Sequence, residues 1–481
     1  MSEQDDGQVS TLQCPKTDDK EAWKGYWKAT QPKSWFEAWG YWRTEPEIGK
    51  ERQKELARYR VIVSDIEKGI YPFKDIEPKL TRADVEWLLA THENGRGPVD
   101  WKDKSQRGRK GLDLRGADLQ KADLQGLPLA CLCGGLSGTQ SDKPKELRNA
   151  ASIILEEANL DGAYLQNAVL NRANLVKATL SDAHLEKARL LYADIRMAKL
   201  DFSHLKKAYL FRANLDEADL SQAHLEKCNL VGTHLKNAVL LGAYLQNAVL
   251  QSAYLAGADI DDTNLENADL FNITLADKNG VGPRMADIHW GDTNLAIVDW
   301  SQVKTLRNEY PAKRTPDERE SVKKSRNLYR YEKSVRAYRQ LAIALRNQGL
   351  NEDAARFAYR SQLMQRRVFQ YQRKFGQYLF SLFLDLLSGY GYKPIRSFMA
   401  YLIVITAFAT AYFIIGHTAG PVLSPLGSVV FSMTSFHGRG FFPGGIGLDD
   451  PLTVVAALEA FVGLLIEVTF IATLTQRLFG K

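Results

Sequence analysis

Cysteine is scarce: Cys14, Cys131, Cys133 and Cys228 are the only thiols in 481 residues. They lack the even, regular spacing with which secreted domains staple a small core, so no disulfide framework is predicted and reduced thiols are expected. No cleaved export signal is expected either, because the polar, acidic start has no basic stretch leading into an apolar run. Nor is there a glycine loop placed to cradle phosphate, a spaced set of metal ligands or a nucleophile elbow. Enzymatic activity and a bound cofactor are therefore not expected. The most informative scarcity is of charge: residues 397–476 hold only Arg439, Asp449, Asp450, Glu459 and Glu467.

That charge-poor stretch follows the most basic part of the chain. Residues 301–400 carry 21 Lys or Arg against 8 Asp or Glu, whereas residues 153–300 carry 13 against 20. The formal net charge of +6 hides this uneven layout. A membrane domain with a cytoplasmic basic collar is written this way, and the length allows about three domains.

What the sequence has in abundance is a period of five. From Leu155 to Leu275 every fifth residue is Leu or Ile, 25 positions of which only Ile195 and Ile260 are not Leu. Two residues before each, from position 158 to 268, stands a small residue: 19 Ala together with Ser203, Cys228, Thr233 and Thr263. Neither a helix nor an ordinary strand has this period. Residues two apart in extended backbone point to the same side, so each unit aims one small and one large apolar group inward and turns a corner with the rest. A unit this short cannot bury its own face, so the units must stack into a solenoid.

Ala158-Asn159-Leu160, Ala173-Asn174-Leu175, Ala213-Asn214-Leu215 and Ala218-Asp219-Leu220 carry the resemblance to pentapeptide-repeat proteins. This resemblance implies a right-handed quadrilateral β-helix, with four repeats to a coil. An interrupted stretch at Leu114, Leu119 and Leu124 precedes an expected insertion over about 129–152, and the pattern decays through Ile288, Leu295 and Trp300. Leucine fills so narrow a coil, so the β-helix is predicted to be a rod that acts through its surface or its ends. One outward column, read at steps of twenty, is Tyr164, His184, His204, His224 and Tyr244. Stacked imidazoles admit two readings, a metal or pH site at His184, His204 and His224 or a plain solvated ladder.

The flanks divide the rest. Residues 1–110 form an aromatic-rich region, dense in Trp23, Trp27, Trp35, Trp39 and Trp42, expected to cap the β-helix of 111–300. Thr81 and Asp84 mark a helix start. Residues 301–375 read as a basic helical hairpin that breaks at Gln348-Gly349, and its pattern resembles a single tetratricopeptide-type unit. The membrane domain, 376–481, opens with an apolar run at 379–387, too short to span and suited to the membrane surface. Two spans are predicted at 397–416 and 451–476. Lys393 and Arg396 flank the first and Arg477 closes the second, so both termini are expected in the cytoplasm of a multi-pass protein of the bacterial inner membrane.

Between the spans, Ser424-Pro425 has the form of a helix start, a capping hydroxyl followed by Pro. The apolar 426–433 and the glycine-rich 438–445 follow, a re-entrant layout over 424–445. Residues 395–480 resemble the two-helix pore module of bacterial potassium channels. Thr434, Ser435, Phe436, His437, Gly438, Arg439 and Gly440 fall where that family has its filter, although Phe436 or Ser435 replaces the filter threonine and Arg439 the central tyrosine. The resemblance implies a homotetramer with an inorganic ion as permeant species, and a hinge at Gly463. Glu459, Gly463 and Glu467 share a helical face, and Arg439 is a candidate partner for either carboxylate. Membrane lipids and an unidentified cytoplasmic protein or small molecule complete the expected partners. Nucleic acid is not among them, because an excess of seven acids over 153–300 is a poor imitation of duplex charge density.

Overall fold

A computed structural model describes residues 14–16, 18–137, 143–310, 320–419, 422–438 and 451–479. The chain divides into two compact units, Met1–Arg307 and Asn308–Lys481.

In the first unit the repeats stack as coils. Backbone bridges pair residues 20 apart, from Ile154 with Asn174 to Tyr254 with Thr274, so four five-residue sides make one coil. Each of the 25 inward Leu and Ile side chains is at most 4 % exposed, which leaves no lumen. The polar residues at the small inward positions are satisfied by carbonyls: Ser203 Oγ donates to Leu200 O at 2.6 Å and Thr233 Oγ1 to Leu230 O at 2.6 Å. Burial pushes the Cys228 thiol up to about 12, so it is an inert core group.

Each corner is an i to i+3 turn, as in Ala188 N to Leu185 O at 3.0 Å, whose second central residue is left-handed. Most of these corner residues are not glycine; Lys187 at φ 59°, Met197 at 59° and Phe202 at 57° are examples. Left-handed backbone costs about 1 kcal/mol for such residues. Stacking offsets it, because the corner N–H donates to the next coil, as Lys187 N does to Lys206 O at 3.0 Å.

The insertion starts later than expected. Pro128 pairs with Tyr164 and Cys133 with Val169, 36 residues apart instead of 20, so residues 129–134 still belong to the first coil. The reason is a swap of volumes: Leu127 and Leu132 occupy small positions, while Gly134 takes a large one beside Ile153 and Leu170. Near the other end Asp259 pairs with Arg284, 25 residues apart, and Met285 replaces the expected Ile288 in the core. There β1 (Val281–Gly282) and β2 (Thr305–Leu306) pair in parallel.

Among the described residues six short α-helices accompany the coils: α1 (Lys20–Thr30), α2 (Lys33–Trp39), α3 (Lys50–Arg60), α4 (Arg82–Ala90), α5 (His92–Gly95) and α6 (Lys145–Ala150). The capping box of Thr81 and Asp84 starts α4. Of the five tryptophans of the aromatic cluster only Trp23, Trp27 and Trp42 are buried, and the Arg43 guanidinium lies 3.4 Å over Trp27. The first coil is tied along successive sides, by Ser64 to Asp113, by a Lys74–Ala117 bridge, by Lys79 to Asp118 and by Arg82 to the Gln125 carbonyl.

The second unit is helical. The hairpin consists of α7 (Glu320–Asn347) and α8 (Asn351–Tyr371), turning at Gly349 with φ 77°, and Tyr338 and Phe357 are fully buried between them. Next come α9 (Phe375–Ser388), α10 (Pro394–Ala419), α11 (Pro425–Phe436) and α12 (Pro451–Phe479). Ser424 caps α11 by accepting from Gly427 N, with Pro425 at the first helical position. Segments Ile395–Thr418 and Pro451–Ala472 are long and apolar enough to cross a membrane. Only 17 % and 22 % of their most apolar windows are buried inside the protein, so their apolar faces look outward.

Candidate functional site

Polar side chains are few in α10, α11 and α12, and the packing brings several of them together. Two apolar clusters mark the middle and the C-terminal end of α11. Phe431 packs with Tyr412, Leu452 and Ala456, whereas Phe436 packs with Leu387, Ile405 and Ile466. Along α11 the neighbours on α10 step back and those on α12 advance, so α11 runs against α10 and alongside α12.

Between the clusters lies Glu459, wholly buried. Its carboxylate accepts from the Tyr412 hydroxyl of α10 at 2.6 Å and from the Ser432 hydroxyl of α11 at 2.5 Å. Ser432 Oγ also lies 3.0 Å from Ile405 O. One carboxyl group thus links three helices where water cannot serve it. One turn on, Gly463 has no room for a side chain: a Cβ there would lie 2.1 Å from the Phe436 carbonyl oxygen. The expected hinge glycine is therefore a point of close approach between α11 and α12.

At the C-terminus of α11, His437 Nδ1 is hydrogen-bonded to Glu467, and His437 Nε2 is 3.4 Å from the Tyr401 hydroxyl. Glu459 and Glu467, expected as partners of Arg439, have these hydroxyl and imidazole partners among the described residues. Thr434 Oγ1 turns back to its own helix, 2.9 Å from Phe431 O, Ser435 is buried, and Gly438 has φ 66°. Phe436 is 1 % exposed with its ring edge-on to Tyr401, so it does not present itself as a filter residue. Arg439 and Gly440 lie outside the described residues. Sequence reasoning missed Tyr412, Tyr401 and the role of Ser432; the available signal was that each is a hydroxyl in a segment without charge.

At the cytoplasm-facing end predicted for α10, Asp385 of α9 accepts from Tyr359 at 2.9 Å, Arg366 at 2.8 Å and Arg396 at 3.0 Å. Burial raises its pKa, but the hydrogen bonds from Arg366 and Tyr359 and the charges of Arg366 and Arg396 outweigh this and hold it below the usual carboxylate range.

On the β-helix the aromatic column is a stack. Tyr164, His184, His204, His224 and Tyr244 follow one another at centroid spacings of 4.9, 4.8, 5.2 and 4.7 Å, with rings tilted by no more than 11°. Parallel rings aim their nitrogens side by side, whereas a metal needs them to converge at about 2.0–2.1 Å. No cluster of three or more ligating side chains able to hold a metal ion occurs among the described residues, so the arrangement of His184, His204 and His224 is that of a ladder. Burial, with the neighbouring His184 and His224, lowers the pKa of His204 despite the opposing pull of Glu186.

A solenoid of five-residue sides, joined to a helical unit with two apolar spans, defines the class. Within it, residues 153–275 match the family model described as pentapeptide repeats, in eight copies, and the chain thus carries a pentapeptide-repeat β-helix domain. Among solved structures, HetL from the cyanobacterium Nostoc, a pentapeptide repeat protein involved in heterocyst differentiation regulation, is 23 % identical over 36 % of this chain and 71 % of its own, with a TM-score of 0.18. The full-length plasmid-mediated fluoroquinolone resistance protein QnrB1 is 18 % identical over 39 % of this chain and 79 % of its own, with a TM-score of 0.20. Rfr23 from the cyanobacterium Cyanothece is 26 % identical over 36 % and 87 %, with a TM-score of 0.11. No curated protein matches the chain.

Proposed function

We propose that the chain is a non-enzymatic, multi-pass protein of the bacterial inner membrane, in which α10, α11 and α12 build one subunit of a homotetrameric, channel-like pore. The observation that carries this reading is α11. Its 12 residues reach only about 18 Å, too short for a hydrocarbon layer of about 30 Å, yet it is apolar and held between both spans through Glu459. A glycine-rich stretch follows it, and a short helix leading into such backbone at membrane depth is tolerated where protein or a water-filled path encloses it. The β-helix, closed along its interior, acts as a cytoplasmic sensing or binding element for a protein or small molecule, and an inorganic ion is the permeant species.

Recording from purified full-length protein in a planar bilayer tests this. Discrete current steps are expected, and if Arg439 faces the lumen, Arg439→Gln shifts the reversal potential towards cations. A second reading is a membrane-anchored interaction scaffold whose pore-like helices do not conduct. Its support is Phe436, buried against Ile405 and Ile466 where a filter would be lined. Silent bilayers with normal membrane insertion favour the scaffold.

A further inference from the structure

An apolar groove of about 640 Å³ opens between α9, α10 and α12. Leu386, Ile403 and Leu465 line it, one from each helix, and among the described residues the single charged one in its wall is Arg396. Leu386 is 77 % and Ile403 63 % exposed, so among the described residues nothing of this chain fills it.

Arg396 is the second half of the observation. Through Nη1 it donates to the Asp385 backbone oxygen at 2.9 Å and to the Asp385 carboxylate at 3.0 Å. The Tyr359 hydroxyl interacts with the same guanidinium, whose five N–H groups still leave donors to spare beyond these partners. Asp385 also binds Arg366 at 2.8 Å, so one carboxylate stands between two guanidiniums and the groove edge keeps a surplus positive charge. Lys393, lying 4.2 Å over the Tyr359 ring, adds another.

We propose that this groove is a binding site for an anionic phospholipid of the cytoplasmic leaflet. An acyl chain lies along Ile403 and Leu465, and the phosphate accepts from the Arg396 guanidinium. Hydrocarbon suits walls that offer almost no polar partner, and a planar guanidinium with donors to spare matches a phosphate. The groove also touches the candidate site: Val462 and Ile466 line it and flank Gly463, where the Phe436 carbonyl packs. A bound lipid therefore bears on the contact between α11 and α12. This proposal rests on the membrane-spanning reading of α10 and α12, not on conduction.

The test uses full-length protein reconstituted into vesicles of mixed phosphatidylcholine and phosphatidylglycerol. Flotation comes first, then transfer to mild detergent and native mass spectrometry of the lipid retained. A preference for phosphatidylglycerol of about tenfold or more is expected, as one charge-assisted contact supplies. Arg396→Gln is expected to bring it near parity. Ile403→Trp fills the groove without touching the ion pair and is expected to abolish retention of both lipids. Protein that floats but retains the two lipids equally, or variants that keep the wild-type preference, overturns the site and leaves the membrane reading intact. Protein that does not float overturns both. Efficient disulfide-linked dimers of Met399→Cys without retained lipid overturn it in favour of a second copy seated in the groove.

Discussion

A carboxyl group out of reach of water must find its hydrogen bonds inside the protein, and Glu459 finds them on two other helices. Glu459→Leu removes the acceptor of the Tyr412 hydroxyl, at about 1–3 kcal/mol for a buried group left unsatisfied, while Ser432 keeps only the Ile405 carbonyl. Glu459→Gln keeps shape and an acceptor oxygen, so it is expected to unfold in detergent close to the wild type and well above Glu459→Leu. Equal melting temperatures for the two variants would show that the contact does not hold α11 in place. That Glu459 matters was legible in the sequence, because a charge in an apolar helix is conspicuous. Its partners were not. Pairing by opposite charge pointed to Arg439, which lies outside the described residues, and the choice of Tyr412 and Ser432 depends on which helix faces which, a matter of packing. At Gly463 the resemblance implied a hinge, and the sequence could not show the Phe436 carbonyl beside it, which leaves no room for a side chain.

In the β-helix, local pattern and global fold agree, which is why the period showed the interior and, with the resemblance that implies four repeats to a coil, the outward columns. The first coil was harder to read because it keeps total volume and breaks the pattern: Leu132 sits where Ala is usual and Gly134 where Leu is. The interior predicts sharp asymmetry between neighbours. Leu215 is 1 % exposed, so Leu215→Asp buries a carboxylate without a partner and is expected to cost several kcal/mol, whereas Asn214→Asp, on the outward side, is expected to be mild; matching denaturation midpoints would sink the register. The stacked histidines add a pH dependence. His204 has a folded-state pKa below its usual value of about 6.5. As pH falls through that value the unfolded chain takes up the proton first, and stability is lost between there and the lower folded pKa. Glu186 works in the same direction: burial pushes its pKa up, but the His184 hydrogen bond and its own backbone amide bring it below the usual range, so its contribution also fades with acid. The β-helix is therefore expected to melt lower at pH 5 than at pH 7.5. His204→Asn should flatten that dependence, and an unchanged slope would assign it to other groups.

Across the whole chain, charge rather than packing carries the orientation. The basic stretch of 301–400, with 21 cations against 8 anions, runs directly into α10, and no lysine or arginine lies between Arg396 and Arg439. Positive charge beside the ends of a span resists translocation, so residues before α10 are expected to stay in the cytoplasm and the start of α11 to face outward. The native thiols offer a direct check, because Cys14 is exposed while Cys131 and Cys228 are buried. In intact cells a membrane-impermeant maleimide is expected to leave Cys14 unlabelled and to label Val422→Cys, whose side chain is 73 % exposed just before α11. After permeabilisation Cys14 should label as well, which controls for its reactivity. Labelling of Cys14 in intact cells would invert the topology. It would also place the basic collar, and with it Arg396 and the groove, in the outer leaflet, where the surface potential that attracts cations on the cytoplasmic side is absent.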